Sequence, residues 1–242
     1  MTSSFLKQAT EGNKNAILKQ QIIRQYIFSG DSSITDLSRA VNLSVPTVTK
    51  LIGELIEEGF VHNFGEQGTA GGRRPNIYGL NPYAGYFVGV EIRTDSVVLA
   101  VVNFKGQLLA DTTVDFLMDN DPHSLDRLCD IIRGFIDGHK IPHDKVLAVG
   151  VNISGRVNSQ TGYSYSYFFV EEQPLTVLLG ERLGCGPITT APCSISCLIF
   201  ASSSGRIVSS CGSTSMRYCV PCGSVILPSC TVMYFSITSA FM

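Results

Sequence analysis

Between Ala16 and Ile56 the apolar positions fall three and four apart, in three runs separated by polar or glycine-bearing breaks. The first run holds Ala16, Ile17, Leu18, Ile22, Ile23, Ile27 and Phe28. It predicts a helix with one apolar face, capped at Asn13 or Asn15 and ended by Gly30-Asp31. In the second, Ser32 or Ser33 precedes a short helix bearing Leu37, Ala40 and Val41, and Asn42-Leu43 makes the turn. Ser44 then caps a third helix with Pro46 in its first turn, where a missing N–H costs little. Val48, Ile52, Leu55 and Ile56 face inward on it; Thr47, Thr49, Lys50 and Glu54 lie on other faces, and Gly59 stops it. Two short helices joined by a tight turn, the second with a small polar N-terminus, form the pattern of a helix-turn-helix. Phe60 to Phe64 reads as a strand and Ile77 to Leu80 as its partner. The glycine-rich stretch 65–75 between them is a flexible wing ending in Arg73-Arg74-Pro75. The predicted architecture is a winged helix.

The three-four spacing then gives way to short apolar runs. Residues 86–92, 96–102 and 107–115 are β-rich and separated by the short turns Arg93-Thr94-Asp95 and Phe104-Lys105-Gly106, which predicts a three-stranded meander. Leu125, Leu128, Cys129, Ile132 and Ile136 mark an amphipathic helix that starts near Pro122-His123-Ser124 and ends near Gly138. Val146 to Ile153 is a buried strand, Ser154-Gly155 opens a loop, Tyr163 to Val170 is an aromatic hairpin arm, and Pro174 begins another helix through Leu183. The fold class is α/β, with strands first and then helix, strand and helix.

The spacing of the first eighty residues suggests its own chemistry. A helix N-terminus offers N–H groups and the positive end of a dipole to phosphate. Ser44, Pro46, Thr47, Thr49 and Lys50 occupy the cap and first two turns of the third helix, where side chains reach bases or backbone in a major groove. Gly72, Arg73 and Arg74 on the wing are placed to enter a minor groove or clamp phosphates. Glu54, Glu57 and Glu58 lie farther down the helix, where they face away from phosphate or repel it. Residues 1–76 carry eight Lys or Arg against seven acids, so charge alone does not separate a DNA reader from a protein-binding winged helix. The adjacent arginines beside Gly71-Gly72 favour DNA.

The run Gly71-Gly72-Arg73-Arg74-Pro75, followed by Leu80-Asn81-Pro82-Tyr83-Ala84-Gly85-Tyr86-Phe87-Val88-Gly89-Val90-Glu91-Ile92, resembles the joint between two domains of ROK-family transcriptional regulators. In that group a winged helix precedes a sugar-kinase-like domain, and the resemblance covers residues 12 to 184. It implies the first lobe of an actin-like ATPase fold after the winged helix. It also implies repression of carbohydrate genes through a double-stranded DNA operator, a sugar or sugar phosphate effector, and homo-oligomers in intact relatives. The expected domains are a winged helix-turn-helix over 1–81, a partial ROK lobe over 82–185, and a Ser/Cys-rich tail over 186–242 with no stable fold expected.

The enzyme alternative is an ATP-dependent sugar kinase of the ROK type, or its degenerate non-catalytic relative. The resemblance places the glycine-rich phosphate turn of such kinases at Glu91-Ile92-Arg93-Thr94-Asp95, where Arg93 and Thr94 replace the adjacent glycines. Gly155 matches the glycine of the sugar-side loop. The family's catalytic Asp would follow Leu183-Gly184, yet no Asp or Glu occurs after Glu181. No catalytic residue, cofactor or metal is therefore expected.

Composition sharpens the boundary. The whole chain of 242 residues has a formal charge of −2, which excludes nucleic-acid binding through bulk positive charge. From Cys185 onward only Arg206 and Arg217 are charged, and seven of the eight Cys are found there. A change of reading frame near Cys185 is the expectation this break supports, with a genuine divergent segment as the competing one. Cys193, Cys197, Cys219 and Cys222 offer soft ligands, but their irregular spacing without His does not make a zinc motif. The polar start lacks a signal peptide, which sets a cytoplasmic expectation. The uncharged stretch 218–242 is broken by Pro221, Gly223 and Pro228, which argues against a membrane helix.

Overall fold

A computed structural model describes residues 13–66, 75–119, 121, 123–158, 161–168 and 173–184, together with the strands at 188–192, 198–201 and 207–210. The described residues divide into two compact units between Ala84 and Gly85.

The first unit begins with α1 (Lys14–Ser29), whose cap Asn13 accepts hydrogen bonds from the N–H groups of Asn15 and Ala16. Gly30, at φ 76°, ends it. A two-residue strand β1 (Ser32–Ser33) leads into α2 (Ile34–Ala40), α3 (Val45–Glu57), β2 (Val61–Glu66) and β3 (Asn76–Leu80). The three strands make a small antiparallel sheet in the order β1-β3-β2, with Asn63 and Ser32 both opposite Tyr78. Ile22, Ile23, Leu37, Val48, Leu51, Ile52, Leu55 and Leu80 are fully buried between helices and sheet.

The buried stripe of α1 is Ala16, Lys19, Ile22, Ile23 and Tyr26, which keeps the three-four spacing but differs from the apolar set read from sequence. Ile17 and Phe28 fall off this stripe and are exposed. Lys19 lies on it because it meets carboxylates there, as described below. On α3 Leu51 is buried and Ile56 exposed; on α2 Ser38 turns inward, its hydroxyl donating to the Thr35 carbonyl, while Ala40 faces solvent. Ser33 serves two elements, pairing with Ile77 and accepting from the Asp36 N–H at the start of α2. A strand so short leaves no alternating pattern to read.

The second unit is built on a five-stranded sheet. The strands β4 (Tyr86–Ile92), β5 (Ser96–Asn103) and β6 (Leu108–Asp115) form the antiparallel meander. After α4 (Ser124–Gly138), β7 (Val146–Ile153) pairs in parallel with β4. Val88, Val90, Leu99, Val149 and Val151 share one face of the sheet. They enter a single core with Leu128, Ile132 and Ile136 of α4.

Beyond β7, the segment expected as one aromatic arm is shorter. Among the described residues there, β8 (Val157–Asn158) and β9 (Tyr163–Ser164) pair, and the backbone turns at Phe168, whose φ is 56°. A bulky residue in that region cannot continue a strand; residues 169–170 lie outside the described set. The helix α5 (Leu175–Leu183) buries Leu175, Leu178, Leu179 and Leu183 in the same core, and Gly184 closes it at φ 59°.

A further strand, β10 (Ile188–Pro192), joins the sheet parallel to β7, giving the order β10-β7-β4-β5-β6. The sequence reading stopped the lobe at Cys185, where charge disappears. Strand formation does not depend on charge, and Ile188-Thr189-Thr190 is β-branched throughout. Farther on, β11 (Leu198–Ala201) and β12 (Ile207–Ser210) pair antiparallel. The cysteines at 193, 197, 219 and 222 and the stretch 218–242 lie outside the described residues. Among those described, no helix is long and apolar enough to cross a membrane.

Candidate nucleic-acid interface

The helix-turn-helix is set by a few local contacts. Asn42 takes φ 53° between α2 and α3, and the Leu43 N–H closes the turn on the Ser38 carbonyl at 3.0 Å. Ser44 is extended and caps α3, its Oγ accepting from the Thr47 N–H at 3.3 Å and lying 2.8 Å from Thr47 Oγ1. Pro46 sits in the first turn, as expected. The Thr49 hydroxyl donates to the Val45 carbonyl at 2.8 Å, which leaves its lone pairs and methyl group outward. Val48, Leu51, Ile52 and Leu55 anchor the rear of the helix in the core, while Ser44, Pro46, Thr49 and Lys50 are exposed and Thr47 is half-buried. The five α3 positions singled out from sequence therefore share the start of one firmly seated helix. The other three, Gly72, Arg73 and Arg74, lie outside the described residues.

A residue not singled out by its sequence context meets the acids farther down α3. Lys19 of α1 is buried, and its ammonium lies 2.7 Å from Glu54 Oε2 and 2.6 Å from Glu58 Oε1. Burial alone would lower its pKa, but the hydrogen bonds and charges of the two glutamates outweigh burial and raise it. The hydrogen bond from Lys19 in turn holds Glu54 below the ordinary carboxylate range. Lys50 lies 3.9 Å from the other oxygen of Glu54 and remains 70% exposed. Two of the three acids flagged as repelling phosphate are thus bound to a partner from another helix. The only signal in the sequence is a lysine on an otherwise apolar stripe, and nothing local names its partners.

In the second unit, Gly155 sits just past the end of β7 at φ 129°. A Cβ there would come within 2.7 Å of the Ser166 side chain. The loop folds tightly on that side chain, with the Arg156 N–H donating to Ser166 Oγ at 3.0 Å. In the turn between β4 and β5, Arg93 reaches back with Nε and Nη2 to the two oxygens of buried Glu91, at 3.2 Å each.

A winged helix-turn-helix DNA-binding family model (HTH_24) matches residues 18–62, from α1 to the start of β2. A solved structure described as a ROK family transcriptional regulator, homolog of the E. coli MLC protein, superposes with a TM-score of 0.57 at 21% identity. It covers 74% of this chain and 46% of that one. The fold of the described residues is therefore similar to that of this solved regulator. The xylose repressor of Caldicellulosiruptor bescii is 28% identical over 160 residues, 66% of this chain and 38% of the repressor. The DNA-binding transcriptional repressor Mlc of Escherichia coli is 24% identical over 160 residues, 64% of this chain and 39% of its own. The chain spans less than half the length of these curated relatives. The DNA-binding family match falls on the helices that carry Ser44 to Lys50, and Gly155 lies in the second unit.

Proposed function

We propose that this chain is a sequence-specific DNA-binding transcriptional regulator, a repressor of carbohydrate metabolism genes whose sugar-sensing domain is incomplete. The observation that carries the reading is α3 itself. Its apolar rear is locked into the core, its capped N-terminus faces solvent, and it lies inside the segment matched to a DNA-binding family. Thr47, Thr49 and Lys50 face the major groove, Ser44 and Pro46 set the helix start against the backbone, and Gly72, Arg73 and Arg74 bring the wing to an adjoining groove. The name of one relative, a xylose repressor, supports a sugar or sugar phosphate as effector, with Gly155 in its loop. The reading extends to a homo-oligomer acting on paired half-sites in the cytoplasm.

Phosphoryl transfer is not part of the proposal. The turn between β4 and β5 is filled by the Glu91–Arg93 pair, which obstructs close approach of phosphate to the backbone, and no catalytic residue is assigned. The test is a fluorescence-anisotropy titration of the full chain against labelled DNA from upstream of its own gene, with scrambled duplex as competitor. Retained binding under excess competitor is expected. Absence of affinity even at low salt would overturn the reading and favour a protein-binding winged helix.

A further inference from the structure

We propose that Lys19 is a positioning residue for DNA binding: by holding Glu54 and Glu58 from behind, it keeps the Lys50 ammonium free for phosphate. The inference rests on the reading of α3 as the DNA-facing helix. The residues form a chain of alternating charge, Lys50–Glu54–Lys19–Glu58, that crosses from the exposed face of α3 to its contact with α1. Glu54 is shared unequally along it. One oxygen lies 2.7 Å from Lys19, whose side chain is 9% exposed, and the other lies 3.9 Å from Lys50, which is 70% exposed.

A short charge-assisted hydrogen bond out of water outcompetes a longer contact in water, so Glu54 is committed to Lys19. Glu58 is tied down in the same way. Without Lys19, two carboxylates one turn apart would stand bare on α3 and repel each other. Glu54 would then swing to the neighbouring Lys50, neutralising the single lysine of the reading face and adding negative charge beside it. Lys19 touches no DNA in this scheme; it acts through Glu54.

The experiment compares full-length wild type, Lys19→Met, Lys19→Arg and the double variant Lys19→Met/Glu54→Gln, with two readouts. One is affinity for a mixed-sequence duplex as a function of salt; the other is the rate at which an acetylating reagent labels Lys50, followed by mass spectrometry. Lys19→Met is expected to weaken binding about tenfold at low salt and to reduce the salt slope by about one, as for loss of one phosphate contact. It should also slow Lys50 labelling severalfold. Lys19→Arg and the double variant should restore both.

Equal weakness of Lys19→Met and the double variant would mean a merely structural role and overturn the proposal. So would unchanged labelling in Lys19→Met. If Lys19→Met does not fold, Glu54→Gln alone decides. Lys50 labelling should stay within about twofold of wild type, because Glu54 is already held away, whereas a severalfold rise would show that Glu54 restrains Lys50 despite Lys19. Wild type that binds no duplex at any salt overturns the DNA reading, and the labelling rates still decide whether Lys19 governs Lys50.

Discussion

Asn42 shows how much of the helix-turn-helix depends on one backbone conformation. Its φ of 53° is open to Gly and tolerated by Asn, whose short polar side chain suits the left-handed region, but it is hostile to a β-branched residue. The side chain is exposed, so a substitution there reports the backbone and little else. Asn42→Gly is expected to leave the stability of the first unit within about 0.5 kcal/mol, and Asn42→Val to cost about 1–2 kcal/mol. Hydrogen exchange at the Val48 and Ile52 amides in α3 measures this, with faster exchange expected only in the valine variant. Equal protection in both would mean that the turn relaxes to another conformation at no cost. Gly155 obeys a stricter rule, since it combines a positive φ with a neighbour that leaves no room for a Cβ.

At the scale of elements, the pairing of α1 with α3 ties stability to pH. The folded pKa of Glu54 is depressed, through the Lys19 hydrogen bond first. Its contribution is therefore present above the ordinary glutamate value of 4.5 and lost as pH falls through the lower folded value. Lys19, whose folded pKa is raised, contributes below the ordinary lysine value of 10.5 and loses that contribution as pH rises through the higher folded value. The first unit should accordingly weaken on the acid side, and Glu54→Gln should flatten that limb of the profile of unfolding midpoint against pH. An unchanged acid limb would show that the pKa of Glu54 does not differ between the folded and unfolded chain.

This same contact marks where reading from sequence stops. The meander, α4, β7 and α5 were legible because a short β-rich apolar run or three-four spacing marks each. Glycine, proline or polar turn residues close most of their ends. The helix-turn-helix was legible from Ser44, Pro46 and Asn42-Leu43. The Lys19 cluster was not, because its partners lie more than thirty residues away and only packing brings them together. Strand β10 follows β-branching, which reports backbone preference, and not the loss of charge at Cys185, which bears on solubility.

For the molecule as a whole, the distribution of charge bears on how the proposed DNA contact would be made. Residues 1–84 carry eight basic and seven acidic side chains, whereas residues 85–184 carry eight basic and thirteen acidic. The second segment is net acidic, so the proposed DNA contact draws on a few cations of the first. Lys50, Arg73 and Arg74 are those proposed to meet phosphate or groove, and each phosphate neutralised adds about 0.9 to the slope of log K against log salt. Three such contacts predict a slope near −3 (roughly 0.9 for each), far shallower than for a protein with a broad basic face. Lys50→Gln should lower the slope by about one and the combined Arg73→Gln/Arg74→Gln variant by about two. The triple variant should bind with almost no salt dependence. A wild-type slope steeper than about −6 would mean that cations outside the α3 and wing positions reach the duplex, and the interface would have to extend beyond the residues assigned to it.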